Sequence, residues 1–141
     1  MSIAEAAFPC RHCGRIAAHV YLLDAGEATP AAVLTTEVPD SEPVMSTWMR
    51  LVIDAVGFGG ATGGEVITSR RQALTDALRA ADPAQLYAVN LEAAPFWCPT
   101  CQAVYGGECW EQWDVFDDDW ASWFDERRGR CPEGHERTLF D

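Results

Sequence analysis

Paired cysteines are the feature of this sequence that most limits how the chain can fold. The 141 residues include six cysteines, and four of these form two Cys-x-x-Cys pairs, Cys10 with Cys13 and Cys98 with Cys101. Gly14 follows the first pair and permits the tight turn that a metal-binding knuckle requires. In a reducing compartment, such pairs are more often metal ligands or redox thiols than structural disulfides. The spacing therefore predicts metal-binding turns.

A further two-ligand turn is predicted near the end of the sequence. Three residues separate Cys131 from His135, and Gly134 allows the backbone to turn so that the imidazole reaches inward. Zinc prefers four soft or borderline donors in a tetrahedron, and two turns of this kind supply all of them. The donors of this predicted zinc site are Cys98, Cys101, Cys131 and His135.

The remaining cysteines leave two arrangements of the donors open. In one, the two Cys-x-x-Cys pairs form a four-cysteine ribbon, which leaves Cys109, Cys131 and His135 as a partial set. In the other, the complete site stands, and Cys10, Cys13 and Cys109 share a second site with an unidentified fourth ligand. The second arrangement is favoured because it closes a shorter loop, although loop entropy makes this worth less than roughly 1 kcal/mol.

Few residues are candidates for the fourth ligand of that second site. Gln112 stands where a turn beginning at Cys109 would place its second ligand, but an amide is a poor zinc donor. His12 and His19 are the other candidates, and each is better explained as a solvated or packed histidine.

The last third of the chain resembles a group of small proteins. The run CPTCQAVYGGECWEQW, followed by RGRCPEGHER, is similar to bacterial zinc-ribbon-type proteins whose pattern reads CPxC, YCxxHW and RGxCPxGHxR. The resemblance implies metal ligation by Cys98, Cys101, Cys109, Cys131 and His135. The chain departs from the pattern at Gly106, which replaces the cysteine after tyrosine, and before Trp113, where the histidine is missing. The group has no established activity to carry over.

Hydrophobic periodicity predicts an α+β fold with a small antiparallel sheet, one to two helices and a zinc-ribbon-like C-terminal region. Branched and aromatic residues over Ile16–Leu23 and residues 32–38 predict an antiparallel strand pair. Apolar residues alternate over residues 48–58, which favours another strand. The glycines of residues 57–64 indicate a loop, because their spacing matches neither nucleotide-binding fingerprint.

Capping residues predict where the helices begin. Ser69 is the predicted N-cap of the clearest helix, with Gln72 three residues later completing a capping box. That helix ends at Asp82, which caps a short second helix with Pro83 at its first position. Helical spacing recurs farther along, where it predicts a core-facing aromatic stripe formed by Trp113, Phe116, Trp120, Trp123 and Phe124.

The length suits one hydrophobic core, so we expect a single zinc-binding domain over residues 1–141. Its expected parts are a knuckle and strand at residues 5–26, a strand and helix core at 27–95, and the ribbon-like region at 96–141.

Charge narrows the range of partners. Ten basic residues against twenty-two acidic ones give a net charge of -12, which repels phosphate backbones and anionic membranes. We therefore expect no nucleic-acid or membrane partner. Residues 1–9 lack the pattern of a secretory signal, so a cytoplasmic location is expected. As an alternative to the core-facing stripe, the acidic and aromatic residues 110–126 form a docking surface for a basic protein.

Three functions remain after these exclusions. Structural zinc in a protein-interaction module is favoured. The first alternative is an enzyme with an open zinc site at the three remaining cysteines and Glu108 or Glu111 as general base. The second is thiol redox chemistry at Cys98 and Cys101, but such a dithiol normally opens a helix, whereas this pair follows a proline and leads into a glycine turn.

Overall fold

An antiparallel sheet of four strands forms the first half of the fold. The computed structural model describes residues 2–28, 48–55, 57–58, 60–116 and 124–140. The strands lie in the order in which they occur along the chain, as β1 (Ala4–Pro9), β2 (Ile16–Leu23), β3 (Arg50–Ala55) and β4 (Gly60–Glu65). β2 and β3 are nearly continuous apolar runs, because both lie inside the sheet and most of their residues are buried.

The two apolar strand predictions are confirmed over Ile16–Leu23 and within residues 48–58. β2 pairs with β1 along one edge and with β3 along the other. Residues 32–38, the predicted partner of β2, lie outside the described residues. β1 was not predicted, since its six residues include three alanines and few branched side chains.

The prediction of a glycine loop over residues 57–64 is wrong. Gly57 turns the chain with a φ of 83°, and Gly60–Glu65 then pairs along the whole of β3. β4 lies at the edge of the sheet, and its six residues pair in register with Arg50–Ala55. The pairing partner, which local composition does not show, decides between loop and strand here.

Two short helices follow β4, and the first of them packs on the sheet. α1 (Arg71–Arg79) buries Leu74, Ala77 and Leu78 against β1 and β2, and α2 (Pro83–Val89) follows it directly. Asp82 caps α2 as predicted, since its carboxylate accepts hydrogen bonds from the N–H groups of Ala84 and Gln85. Among the described residues, no helix combines the length and apolar character needed to cross a membrane.

The predicted N-cap at Ser69 is wrong. Residues Thr68–Arg70 form a 3-10 turn that runs directly into α1, so the capping position falls on Arg70 and no side chain caps it. A 3-10 turn at a helix start satisfies part of the backbone without a capping side chain.

The C-terminal part contains two further antiparallel sheets. β5 (Trp97–Cys98) and β6 (Ala103–Val104) form a small hairpin, and β7 (Glu111–Phe116), β8 (Phe124–Arg130) and β9 (Glu136–Phe140) form a three-stranded sheet. The fold is therefore α+β, as predicted, with small antiparallel sheets and two α-helices.

The helical interpretation of the aromatic stripe is wrong wherever the structure describes it. Trp113 and Phe116 lie in β7, and Phe124 begins the antiparallel β8. Trp120 and Trp123 lie outside the described residues. Opposite charges face each other across the two strands, with Arg127 Nε 2.8 Å from Asp114 Oδ1, which favours the hairpin.

One buried apolar cluster connects the sheets and helices. It extends from Ala4 in β1 to Leu139 in β9 and includes the sulfur-bearing side chains of Cys10, Cys98 and Cys131. At its centre Phe8 stacks on Phe96 with 5.0 Å between ring centroids. The cysteines of the candidate metal centres are thus continuous with the core.

Candidate metal centres

The first centre begins with a turn between β5 and β6. Cys98 ends β5, and the chain reverses through a residue with positive φ, Gln102, before β6. The backbone N–H of Cys101 donates to the sulfur of Cys98 at 3.4 Å. This hydrogen bond directs both sulfurs to the same side of the turn.

A matching turn joins β8 to β9. Cys131 follows β8, and Gly134 has a φ of 90° that an L side chain rarely adopts. The N–H of Gly134 donates to the Cys131 carbonyl at 2.9 Å, and the N–H of His135 donates to the Cys131 sulfur at 3.4 Å. The role predicted for Gly134, to let the imidazole turn inward, agrees with this geometry.

The two turns face each other, and their donor atoms lie close together. Nδ1 of His135 lies 3.1 Å from the sulfur of Cys101 and 3.5 Å from that of Cys131. It lies 3.8 Å from the sulfur of Cys98, and the sulfurs of Cys101 and Cys131 are also 3.8 Å apart.

These separations fit one tetrahedral zinc ion. Zinc–sulfur bonds of about 2.3 Å and zinc–nitrogen bonds of about 2.0 Å place tetrahedral neighbours about 3.8 Å apart for two sulfurs and about 3.5 Å for sulfur and nitrogen. The observed sulfur–sulfur distance agrees, and the sulfur–nitrogen distances of 3.1 to 3.8 Å lie around the expected value. The four donors can therefore hold a metal ion together.

The environment of these thiols favours a bound cation. Burial raises the pKa of the Cys98 thiol to about 11, so ionising it without a counter-charge is unfavourable. Burial also acts to raise the pKa of Cys131, but N–H groups of His135 and Glu133 outweigh it and the pKa is lowered. Tyr105 is buried beside the centre, and its pKa is raised, first by its hydrogen bond to the Cys101 sulfur.

Arg137, the last residue of the RGRCPEGHER run, supports the first centre, a role that its position in the sequence does not predict. Its side chain is 8% exposed, and Nη1 donates to the carbonyls of Ala94 and Trp97 at 2.7 and 2.8 Å. Nη2 donates to the carbonyl of Leu91 at 3.0 Å, and the guanidinium lies 5.0 Å from the centroid of the Tyr87 ring. Arg137 thereby ties the strand after His135 to the segment that leads into Cys98.

The second group of thiols lies next to β1. Cys10 and Cys13 form a knuckle in which Gly14 has a φ of 75° and the N–H of Cys13 donates to the Cys10 sulfur at 3.5 Å. The sulfur of Cys109 lies 3.7 Å from that of Cys10, close to the separation expected for two sulfurs on one zinc ion. These three thiols can also hold a metal ion.

Burial and backbone N–H groups change the pKa values of the thiols in the second group. Burial acts to raise the pKa of Cys10, but N–H groups of Gly106, Cys13 and His12 outweigh it and lower the value to about 7. Burial, followed by the neighbouring Cys10, raises the pKa of Cys109 to about 12. Without a cation, the second thiol therefore resists ionisation once the first has lost its proton.

The structure decides which residues lie together. It places Cys98 and Cys101 with the turn of Cys131 and His135, and it places Cys10 and Cys13 with Cys109. The two Cys-x-x-Cys pairs do not join in a four-cysteine group among the described residues. This is the arrangement that the loop-length argument favours.

Neither histidine candidate joins the second group. His12 is an exposed residue of the knuckle, and His19 lies in β2 with its ring 6.2 Å from the ring of Tyr21. Among the described histidines, cysteines and acidic residues, the group has three donors only. Gln112 anchors its amide nitrogen on the carbonyls of Gly57 and Gly107, at 2.8 and 3.1 Å.

The acidic residues considered as general bases have other partners. Glu108 lies 4.0 Å from Arg15, and both side chains are strongly exposed. Glu111 pairs with Arg130 across β7 and β8 at 3.1 Å. The Cys98–Cys101 pair lies in a turn between two strands, which differs from the helix start that a dithiol catalyst uses.

Comparison with known proteins adds a family but no activity. No curated protein matches the chain significantly, and no solved structure does. The family description that matches covers residues 1–141 and reads "Domain of unknown function (DUF8328)". Because the match spans the whole sequence, including both cysteine groups, the chain belongs to the DUF8328 family.

Proposed function

We propose that this chain is a cytoplasmic zinc protein in which zinc at the first centre has a structural role, and that it serves as a protein-interaction module. The observation that carries the proposal is the spacing of the four donors of the first centre, which matches the edges of a zinc tetrahedron. The reduced thiols that this requires favour the cytoplasm.

The donor set supports zinc among the common metals. Three thiolates and one imidazole form a frequent set for structural zinc, whereas calcium and magnesium prefer oxygen ligands. When bound, zinc supplies a cross-link between the β5–β6 turn and the β8–β9 turn. All four positions are filled by the protein, so no position is left for a reacting water, which supports a structural role.

The experiment is metal analysis and thermal unfolding of the untagged protein and two variants. Cys98→Ser removes one donor, and we expect loss of the first zinc ion and a large fall in melting temperature, because zinc binding and folding are coupled. Thr100→Ala is the matched control in the same turn, since the Thr100 side chain is exposed and is not one of the four metal ligands. Full zinc content and an unchanged melting temperature in Cys98→Ser contradict the proposal.

The proposed partner is a basic protein. Support comes from the net charge of -12 and from Phe116, which is 52% exposed at the end of β7 and is followed in the sequence by three acidic residues. Exposed aromatic rings with surrounding carboxylates are suited to a basic partner, and salt weakens such contacts.

The test is to use this protein to capture binding proteins, at a low and at a high salt concentration. We expect a basic protein to be retained at low salt, released at high salt, and lost in Phe116→Ser. Ile67→Ser is the control, because Ile67 is similarly exposed at 56% but lies before α1. Equal recovery by the two variants contradicts the proposed surface.

A further inference from the structure

The amide oxygen of Gln112 is in an unusual position. It is buried, and it is the one buried side-chain nitrogen or oxygen of the described residues without a hydrogen-bond partner. Leaving such an acceptor unpaired destabilises the folded protein, because the oxygen has lost its hydrogen bonds to water. The orientation of the amide is determined by its other end, where Nε2 donates to two carbonyls, of Gly57 and Gly107. A flipped amide would place oxygen against both carbonyl oxygens.

The turn of residues 106–109 connects this amide with the second group of thiols. The N–H of Gly106 donates to the Cys10 sulfur, and the carbonyl of the next residue, Gly107, accepts from Gln112. Two residues later, Cys109 brings its sulfur to 3.7 Å from Cys10. The Gln112 amide and the sulfur of Cys109 are therefore both anchored on residues 106–109.

The donor count of the second group leaves one tetrahedral position to fill. Three thiols come together, and the described histidines, cysteines and acidic residues supply no fourth donor. Gln112 Oε1 is not hydrogen-bonded to any of the sulfurs, so it is available to accept a hydrogen bond from another ligand. Cys13 is exposed, which gives solvent a route to the group, whereas Cys98 and Cys131 of the first centre are buried.

We propose that the second centre binds zinc through Cys10, Cys13 and Cys109 and keeps its fourth position for a small exchangeable ligand, which is water in the resting protein. This water donates a hydrogen bond to Gln112 Oε1, which satisfies the buried acceptor. A group that is bound directly to a metal ion is commonly oriented by a hydrogen bond to a second residue. The inference rests on the proposed zinc binding of this chain. It makes the two centres chemically different, one closed and one open.

The test uses cobalt in place of zinc, with azide as the probe ligand. We expect two cobalt ions per chain and a change in the visible spectrum that saturates at one azide per chain. Cys109→Ser should abolish the azide response while the cobalt ion of the first centre remains. Two bound cobalt ions without any response to azide would overturn the inference.

Gln112→Leu tests the role of the amide oxygen. Azide has no proton to donate to Gln112, so displacing water loses a hydrogen bond in the native protein but not in the variant. We therefore expect azide to bind Gln112→Leu more tightly, by roughly tenfold, which is the worth of one hydrogen bond. A merely structural role would loosen the site and weaken azide binding, and that result, or unchanged binding, overturns the proposal. Gln72→Leu is the control, since Gln72 is exposed on α1 and bonds to Asp76.

The metal count separates this inference from the proposed function. One cobalt ion per chain, lost in Cys98→Ser and kept in Cys109→Ser, would overturn the open second centre and leave the structural centre standing. No bound cobalt would contradict both.

Discussion

Arg137 shows how one side chain can organise a candidate metal centre without belonging to its donors. A buried guanidinium is costly unless its donors are used, and here they are used on the carbonyls of Ala94, Trp97 and Leu91. Burial lowers the pKa of Arg137, and the ring of Tyr87 lies over its other face. The residue therefore holds the segment before Cys98 against the strand that follows His135.

We expect Arg137→Met to lower the free energy of unfolding by about 1–3 kcal/mol, because the buried Trp97 carbonyl loses the guanidinium as its donor, whereas those of Ala94 and Leu91 keep a backbone N–H. Urea unfolding of the zinc-loaded protein measures the change. Arg128→Met is the control, since Arg128 is half-exposed and pairs with Glu126 on its own strand. An equal loss in both variants would show that the carbonyl contacts are not decisive.

The packing of strand β8 depends on a glycine, Gly129, which has no side chain to collide with its neighbours. A Cβ at Gly129 would lie 2.8 Å from Cδ1 of Leu139 and 3.0 Å from the Trp110 ring. Both neighbours are buried, and the Trp110 indole is held by its hydrogen bond to the Tyr105 carbonyl at 2.9 Å. The absence of a side chain at Gly129 thus allows β8 to pack on the core.

Gly129→Ala should destabilise the protein by about 1–3 kcal/mol, the usual cost of overpacking a core. Thermal or urea unfolding measures this. Gly106→Ala serves for comparison, because a Cβ there meets only ordinary contacts of 3.8 Å or more. If Gly129→Ala were as stable as the native protein, the close packing of β8 would be wrong.

Elements with local signals were predictable and elements determined by their partners were not. β2 and the start of α2 follow from an apolar run and from Asp82 before Pro83. The glycine strand β4 and the β7–β8 hairpin depend on distant residues with which they pair. At the centres, spacing predicts the Cys131–His135 turn. Arg137 and Gln112 gain their surroundings only when residues about forty or more positions away approach.

At the scale of the whole molecule, the thiols lie in the same apolar cluster as the core. Cys10, Cys98 and Cys131 are each buried within it, together with Phe8 and Leu139. A metal ion held by these sulfurs would therefore be bound inside the core, and its removal would not be a purely local event. The two groups differ in access, because Cys13 of the second group is exposed.

That difference predicts the order in which the thiols become reactive. In the zinc-loaded protein, iodoacetamide should modify little, because metal-bound thiolates are protected. With increasing chelator, Cys13 and Cys109 should be modified before Cys98 and Cys131, and peptide mass spectrometry identifies each site. Simultaneous modification of both groups would contradict a more accessible second centre. Acid should act in the same direction as chelator, since protonated thiols release metal.

The Cys10–Cys13 turn and the Cys131–His135 turn each lie at one end of an edge strand. β1 runs directly into Cys10, and β9 begins directly after His135. Among the described strands, β1 and β9 are edge strands, which pair on one side only, so their amide hydrogens exchange quickly with solvent. A metal ion held at one end of each strand would couple opening of the strand to release of the ion. Deuterium uptake in residues 4–9 and 136–140 should therefore report how long each ion stays bound.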